Sequence, residues 1–135
     1  MNTLPGKIYK VESTKGISLV DICIDDDQFS SLIINSEATD SYILAGNPVN
    51  MLFKETEISL KCYRDKLVKR QNKVIVEVID ITNGQILSEV KLNYKGFPVT
   101  AIVLTRLLNE LGLEVGKKAV MILRTQEILL SRMKV

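Results

Sequence analysis

The chain has 135 residues, 46% of them hydrophobic and 25% charged, with a formal net charge of +2 and no histidine. That balance belongs to a globular protein rather than a disordered one, and no apolar run approaches the ~18 residues of a membrane-spanning helix. Without histidine, no Ser-His-Asp or Cys-His nucleophile, no imidazole base near neutral pH and no histidine-bearing zinc site can be assembled.

In chain order, the amino terminus lacks a charged region followed by an apolar one, so no secretory signal is expected. Alternating apolar residues predict strands over 7–11, 16–24 and 29–34. Asp25-Asp26-Asp27 falls between two of them and reads as a solvated hairpin turn. It lacks the further oxygen ligands that magnesium or calcium would need, so no metal site is expected. Asn35 or Ser36 can cap a short helix running to about Tyr42, with Glu37 in its first turn. Gly46-Asn47-Pro48 marks a turn, and strands follow over 49–53 and 57–60.

Residues 61–73 carry six basic side chains (61, 64, 66, 69, 70 and 73) against one acid and read as an inter-domain connection. The second half then predicts strands over 74–81, 86–92 and 97–103, a helix from Thr105, and strands over 119–123 and 128–130. Leu107, Leu108 and Leu111 are spaced to face a core, and Gly112 stands where a helix C-cap favours positive φ. Cys23 and Cys62 make no disulfide framework and are expected as free thiols in a reducing cytoplasm.

The two halves repeat one order. Gly46 corresponds to Gly116, Lys54 to Arg124 and Glu57 to Glu127, all seventy residues apart. A repeat of that length is too long for a solenoid unit and suits one small closed domain. The reading is therefore all-β: two tandem OB-fold-like five-stranded Greek-key barrels, residues 1–65 and 66–135, each with a short helix between its third and fourth strands. No phosphate-cradling Gly-rich loop is present, and the chain is not expected to be an enzyme. A nucleic-acid-binding barrel is disfavoured by 5% aromatics, no Trp and the small net charge.

With these residues laid out, each half resembles the Mop domain of the TOBE superfamily, a small barrel that binds molybdate and tungstate. The resemblance rests on Asn2-Thr3-Leu4-Pro5-Gly6-Lys7-Ile8 and Ile34-Asn35-Ser36-Glu37-Ala38 in the first half, and on Leu111-Gly112-Leu113-Glu114-Val115-Gly116-Lys117 in the second. The tandem is similar to cytoplasmic di-Mop molybdate-binding proteins and to the di-Mop region of molybdate-responsive transcription regulators. It covers essentially the whole chain.

The resemblance implies a cytoplasmic protein that binds molybdate or tungstate for storage, homeostasis or sensing. The alternative is the ligand-sensing or interaction module of a regulator without its own DNA-binding domain. The family's cationic Lys-Ala-Ser/Thr element lands on Lys54-Glu55-Thr56 and on Arg124-Thr125-Gln126. Its donor after the third strand lands on Asn35-Ser36 and on Thr105. Its Ser-x-Arg-Asn element is met only by Lys69-Arg70-Gln71-Asn72: Asn72 fits, the serine is missing and Arg70 is one place off. Glu55 puts a carboxylate where the family has a small residue. The expected oxyanion ligands are therefore Asn35, Ser36, Lys54, Thr56, Arg70, Asn72, Thr105, Arg124 and Thr125, with sites at barrel–barrel and subunit seams. A homo-oligomer is expected, a trimer in preference to a dimer, with no membrane partner.

Overall fold

A computed structural model describes residues 1–34, 41–64 and 70–133. Among these, ten strands run β1 Asn2–Thr14, β2 Ile17–Ile24, β3 Asp27–Ile34, β4 Pro48–Phe53, β5 Ser59–Cys62, β6 Lys73–Thr82, β7 Leu87–Tyr94, β8 Phe97–Leu104, β9 Lys118–Ile122 and β10 Leu129–Arg132. One helix, α1 Thr105–Leu111, lies between β8 and β9, and short 3-10 turns occupy Glu55–Glu57 and Thr125–Glu127. The all-β expectation holds. The helix expected in the first half falls on 35–42 and lies largely outside the described residues.

The strands form two antiparallel five-stranded sheets, ordered β10-β4-β1-β2-β3 and β5-β9-β6-β7-β8. The two orders are the same under a shift of seventy residues, except that the fifth strands have changed places. β10, at the carboxy-terminal end, pairs with β4, with Leu130 opposite Met51; β5 pairs with β9, with Leu60 opposite Met121. The division after residue 65 thus follows the sequence repeat but not the sheets, because each sheet takes its last strand from the other half. The alternation that buries Leu60 and Ile128 is compatible with either partner, so sequence periodicity does not distinguish the exchanged arrangement.

The duplication extends to individual hydrogen bonds. Ile8 N donates to Asn47 O (2.9 Å) and Gly46 N to Ile8 O (2.7 Å); Val78 N donates to Lys117 O (2.9 Å) and Gly116 N to Val78 O (2.8 Å). β1 and β6 carry matching bulges, between Ile8 and Lys10 and between Val78 and Asp80. Gly46 and Gly116 sit at φ 95° and 90°, a region that side chains disfavour, which explains why both halves keep glycine there.

One continuous core joins the halves, from Leu4, Ile8, Ile22 and Phe29 to Val78, Leu92, Tyr94 and Met121. Phe29 meets Tyr94 edge-on, with ring centroids 6.2 Å apart. Beside them the β2–β3 and β7–β8 hairpin tips carry opposite charge. Lys95 Nζ lies 3.4 Å from Asp25, 3.3 Å from Asp26 and 3.3 Å from Asp27. The Tyr94 hydroxyl donates to Asp27 Oδ2 (2.5 Å). Burial, and then the Asp27 carboxylate, push the Tyr94 hydroxyl well above its usual pKa. The acidic turn expected to be solvated is therefore in part a junction between halves.

Candidate functional site

Asn72 organises the clearest convergence of polar groups. It stands just before β6 at φ 63°, a left-handed conformation that Asn tolerates better than most residues, and it is buried. Its Oδ1 accepts from Ser30 N (2.8 Å), and its Nδ2 donates to Thr125 Oγ1 (3.0 Å) and, more distantly, towards Ser30 O (3.4 Å). Its backbone N–H donates to Gln28 O (2.9 Å), and its carbonyl accepts from Leu123 N (2.9 Å). One residue, through its side chain and backbone together, thereby ties β3 of the first half to the end of β9 and the Thr125–Glu127 turn of the second.

The hydroxyls of Ser30 and Thr125 lie 3.1 Å apart. When Ser30 donates across that pair, Thr125 Oγ1 accepts from both Ser30 and Asn72 and keeps its own proton for a group at the surface. Thr125 is only half-buried, so that proton is reachable. Arg124 precedes it at the start of the turn and is exposed. Arg70, also exposed, stands two residues before Asn72 and lines a cleft of about 230 Å³ with Lys73, Gln28, Asp26 and Asp27. The set offers the Thr125 hydroxyl and two guanidinium groups as donors, with the Asp26 and Asp27 carboxylates on the Arg70 side. Hydroxyl and guanidinium donors are the groups that can hold an anion by charge-assisted hydrogen bonds.

Seventy residues earlier the same construction recurs. Asn2 Nδ2 donates to Thr100 O (2.8 Å) and Thr100 N donates to Asn2 Oδ1 (2.9 Å), as Asn72 does with Ser30. Here, however, the residue equivalent to Thr125 is Glu55, whose Oε1 lies 2.5 Å from the Met1 amino group. That ammonium holds the Glu55 carboxyl below the usual carboxylate range.

The remaining expected ligands are dispersed. Lys54 and Arg124 do not lie on a strand; each follows the end of one (β4 or β9) and opens a 3-10 turn. Lys54 lines a cleft of about 170 Å³ with Glu57, Gln126 and Glu127, where two carboxylates outnumber its charge. Thr56 is exposed on the same turn. Thr105, expected as a donor, is the first residue of α1, whose N-cap Leu104 makes no side-chain cap bond. Thr105 Oγ1 instead donates to Gly84 O (2.8 Å) and pairs with Ser88 Oγ (2.7 Å), tying the helix start to the β6–β7 loop. Asn35 and Ser36 lie outside the described residues.

Of the nine, the structure brings Asn72 and Thr125 into direct contact, with Arg124 next to Thr125 in the chain and Arg70 two residues before Asn72. Sequence reasoning missed Ser30 and Thr100. The available signal was that Asn2/Asn72 and Ser30/Thr100 share the same seventy-residue offset. Among the described residues, no group of three or more Cys, Asp or Glu side chains is placed to hold a metal ion.

No protein-family model matches the chain, and no curated protein sequence matches it. The chain is similar in structure to the cytoplasmic molybdate-binding protein ModG, solved with molybdate bound. The TM-score is 0.84 at 21% identity, over 97% of this chain and 95% of that one. The likeness establishes the fold. Among the described residues, no helix is long and apolar enough to cross a membrane.

Proposed function

We propose that each five-stranded sheet, exchanged strand included, is a Mop-type barrel, and that the chain binds a tetrahedral oxyanion, molybdate or tungstate, in the cytoplasm. It acts as a binder in storage, homeostasis or sensing rather than as an enzyme. The observation that carries this reading is the Ser30–Asn72–Thr125 cluster at the junction of the halves, with Arg124 next to Thr125 in the chain and Arg70 two residues before Asn72. A compact dianion needs convergent donors and cations held before it arrives, and Asn72 holds the Thr125 hydroxyl in place. The fold shared with a protein crystallised with molybdate bound supports the choice of ligand.

The account includes a homo-oligomer, with three copies closing a ring. Ile17 lies opposite Ile34 and Leu87 opposite Leu104, at exposures of 43%, 63%, 54% and 45%. The two pairs are one feature repeated by the duplication, and an apolar pair repeated at the ends of two hairpins suits association with further copies.

Calorimetric titration with molybdate, tungstate, sulfate and phosphate tests the reading. Micromolar or tighter binding, roughly 8 kcal/mol or more, is expected for molybdate and tungstate. No heat and no thermal shift at millimolar molybdate would reject it.

A further inference from the structure

Resting on the oxyanion reading, we propose that the duplication has left one open and one closed position in each chain, and that the Glu55 side chain closes the second. The two positions share their framework. Asn72 grips the backbone of Ser30 through both amide atoms, and Asn2 grips Thr100 in the same way. In both, the grip is followed along the chain, at the end of the neighbouring strand, by a cation opening a 3-10 turn: Arg124 after β9 and Lys54 after β4.

The difference lies in the next residue. At the open position it is Thr125, whose hydroxyl is 3.0 Å from Asn72 Nδ2 and 3.1 Å from Ser30 Oγ, and which has a proton to give whenever Ser30 donates across that pair. At the other it is Glu55, ionised at neutral pH. A carboxylate there accepts hydrogen bonds but donates none, and it repels a dianion at short range in a partly desolvated setting. Its negative charge already supplies what a bound anion would bring, and the Met1 amino group lies 2.5 Å from it. The internal carboxylate stands in for the ligand. That position is thereby withdrawn from binding.

The consequence is a count. Wild-type protein takes up one oxyanion per chain at this class of position, and replacing the carboxylate by the residue found at the open position restores the second. Equilibrium dialysis against molybdate, with bound molybdenum counted by mass spectrometry, reads the number directly. The expected results are one per chain for wild type, two for Glu55→Thr and none for Thr125→Glu, each variant first shown by circular dichroism to keep the wild-type strand signal.

A wild type that already takes two per chain overturns the proposal, as does a Glu55→Thr variant that stays at one or a folded Thr125→Glu variant that still binds. None of these results touches the oxyanion reading itself. That reading fails only if wild type takes up no molybdate at all.

Discussion

Replacing Asn72 by Ala is the sharpest test of how the junction is built. Ser30 is 3% exposed and Asn72 5%, so loss of the 2.8 Å bond to Ser30 N leaves a buried amide without its partner. An orphaned buried donor costs about 1–3 kcal/mol. The lost donation to Thr125 adds about 0.5–1.5 kcal/mol. Alanine at φ 63° adds a further ~1 kcal/mol, because its Cβ is strained in the left-handed region. These terms are not strictly additive, so a loss of about 3 kcal/mol is expected, or roughly 10 °C in Tm for a chain of this size.

Asn72→Gly separates the contributions. Glycine is comfortable at that φ, so the variant should recover about 1 kcal/mol relative to Asn72→Ala while still lacking the clamp. Asn2→Ala, in an extended strand, should lose only the hydrogen-bond contribution, about 1–3 kcal/mol. Urea unfolding followed by far-UV circular dichroism, with the m-value checked for constancy, provides the measurement. If Asn72→Ala unfolds within ~0.5 kcal/mol of wild type, the clamp does not hold the halves as described.

Arg124→Ala should weaken molybdate binding roughly 10- to 100-fold, the worth of one charge-assisted bond. Lys54→Ala, beside Glu57 and Glu127, should change it less than about 3-fold; equal effects in a titration would contradict the assignment. Tyr94→Phe should cost about 1.5–3 kcal/mol at neutral pH by removing the donor to Asp27. Because the folded-state pKa of Tyr94 is raised, its contribution is full below about pH 10 and is lost as pH rises beyond that. The gap between wild type and Tyr94→Phe should therefore narrow in alkaline urea titrations, and a gap that widens would refute the sign. Ile34→Asp and Leu104→Asp should each lower the oligomer mass measured by light scattering, and an unchanged mass for both would remove these pairs from the interface.

Much of the fold is legible in the sequence because burial alternates along strands such as β4, β7 and β8 and the second half repeats the first. The positions of β2, β3, β7 and β8 follow from such alternation, and the left-handed Gly112 ends α1 as its place after Leu111 suggests (φ 64°). What periodicity cannot encode is partner choice. Leu60 and Ile128 must be buried, but nothing in their spacing says whether β5 and β10 close their own sheet or the other.

The site was less legible for a related reason. Arg124, Thr125, Arg70 and Asn72 were found through a family resemblance that works along the chain. Ser30 is a small polar residue inside a strand, and its importance comes from a residue forty-two positions away. The resemblance gives Thr105 as a donor from its place after the third strand, which carries no information on its bonding partners. The hydroxyl of Thr105 bonds to Gly84 on the β6–β7 loop and to Ser88 in β7.

The central claim is that a tetrahedral oxyanion is held at the junction by Thr125, Arg124 and the Asn72 framework. Crystals grown with tungstate test it most directly, since the tungsten anomalous signal locates the ion without reference to any assumed site. The account predicts a peak whose oxygens lie within hydrogen-bond distance of Thr125 Oγ1 and an arginine, Arg124 or Arg70, with no matching peak beside Glu55. A peak beside Glu55, or tungsten bound away from the Ser30–Asn72–Thr125 cluster, would contradict it.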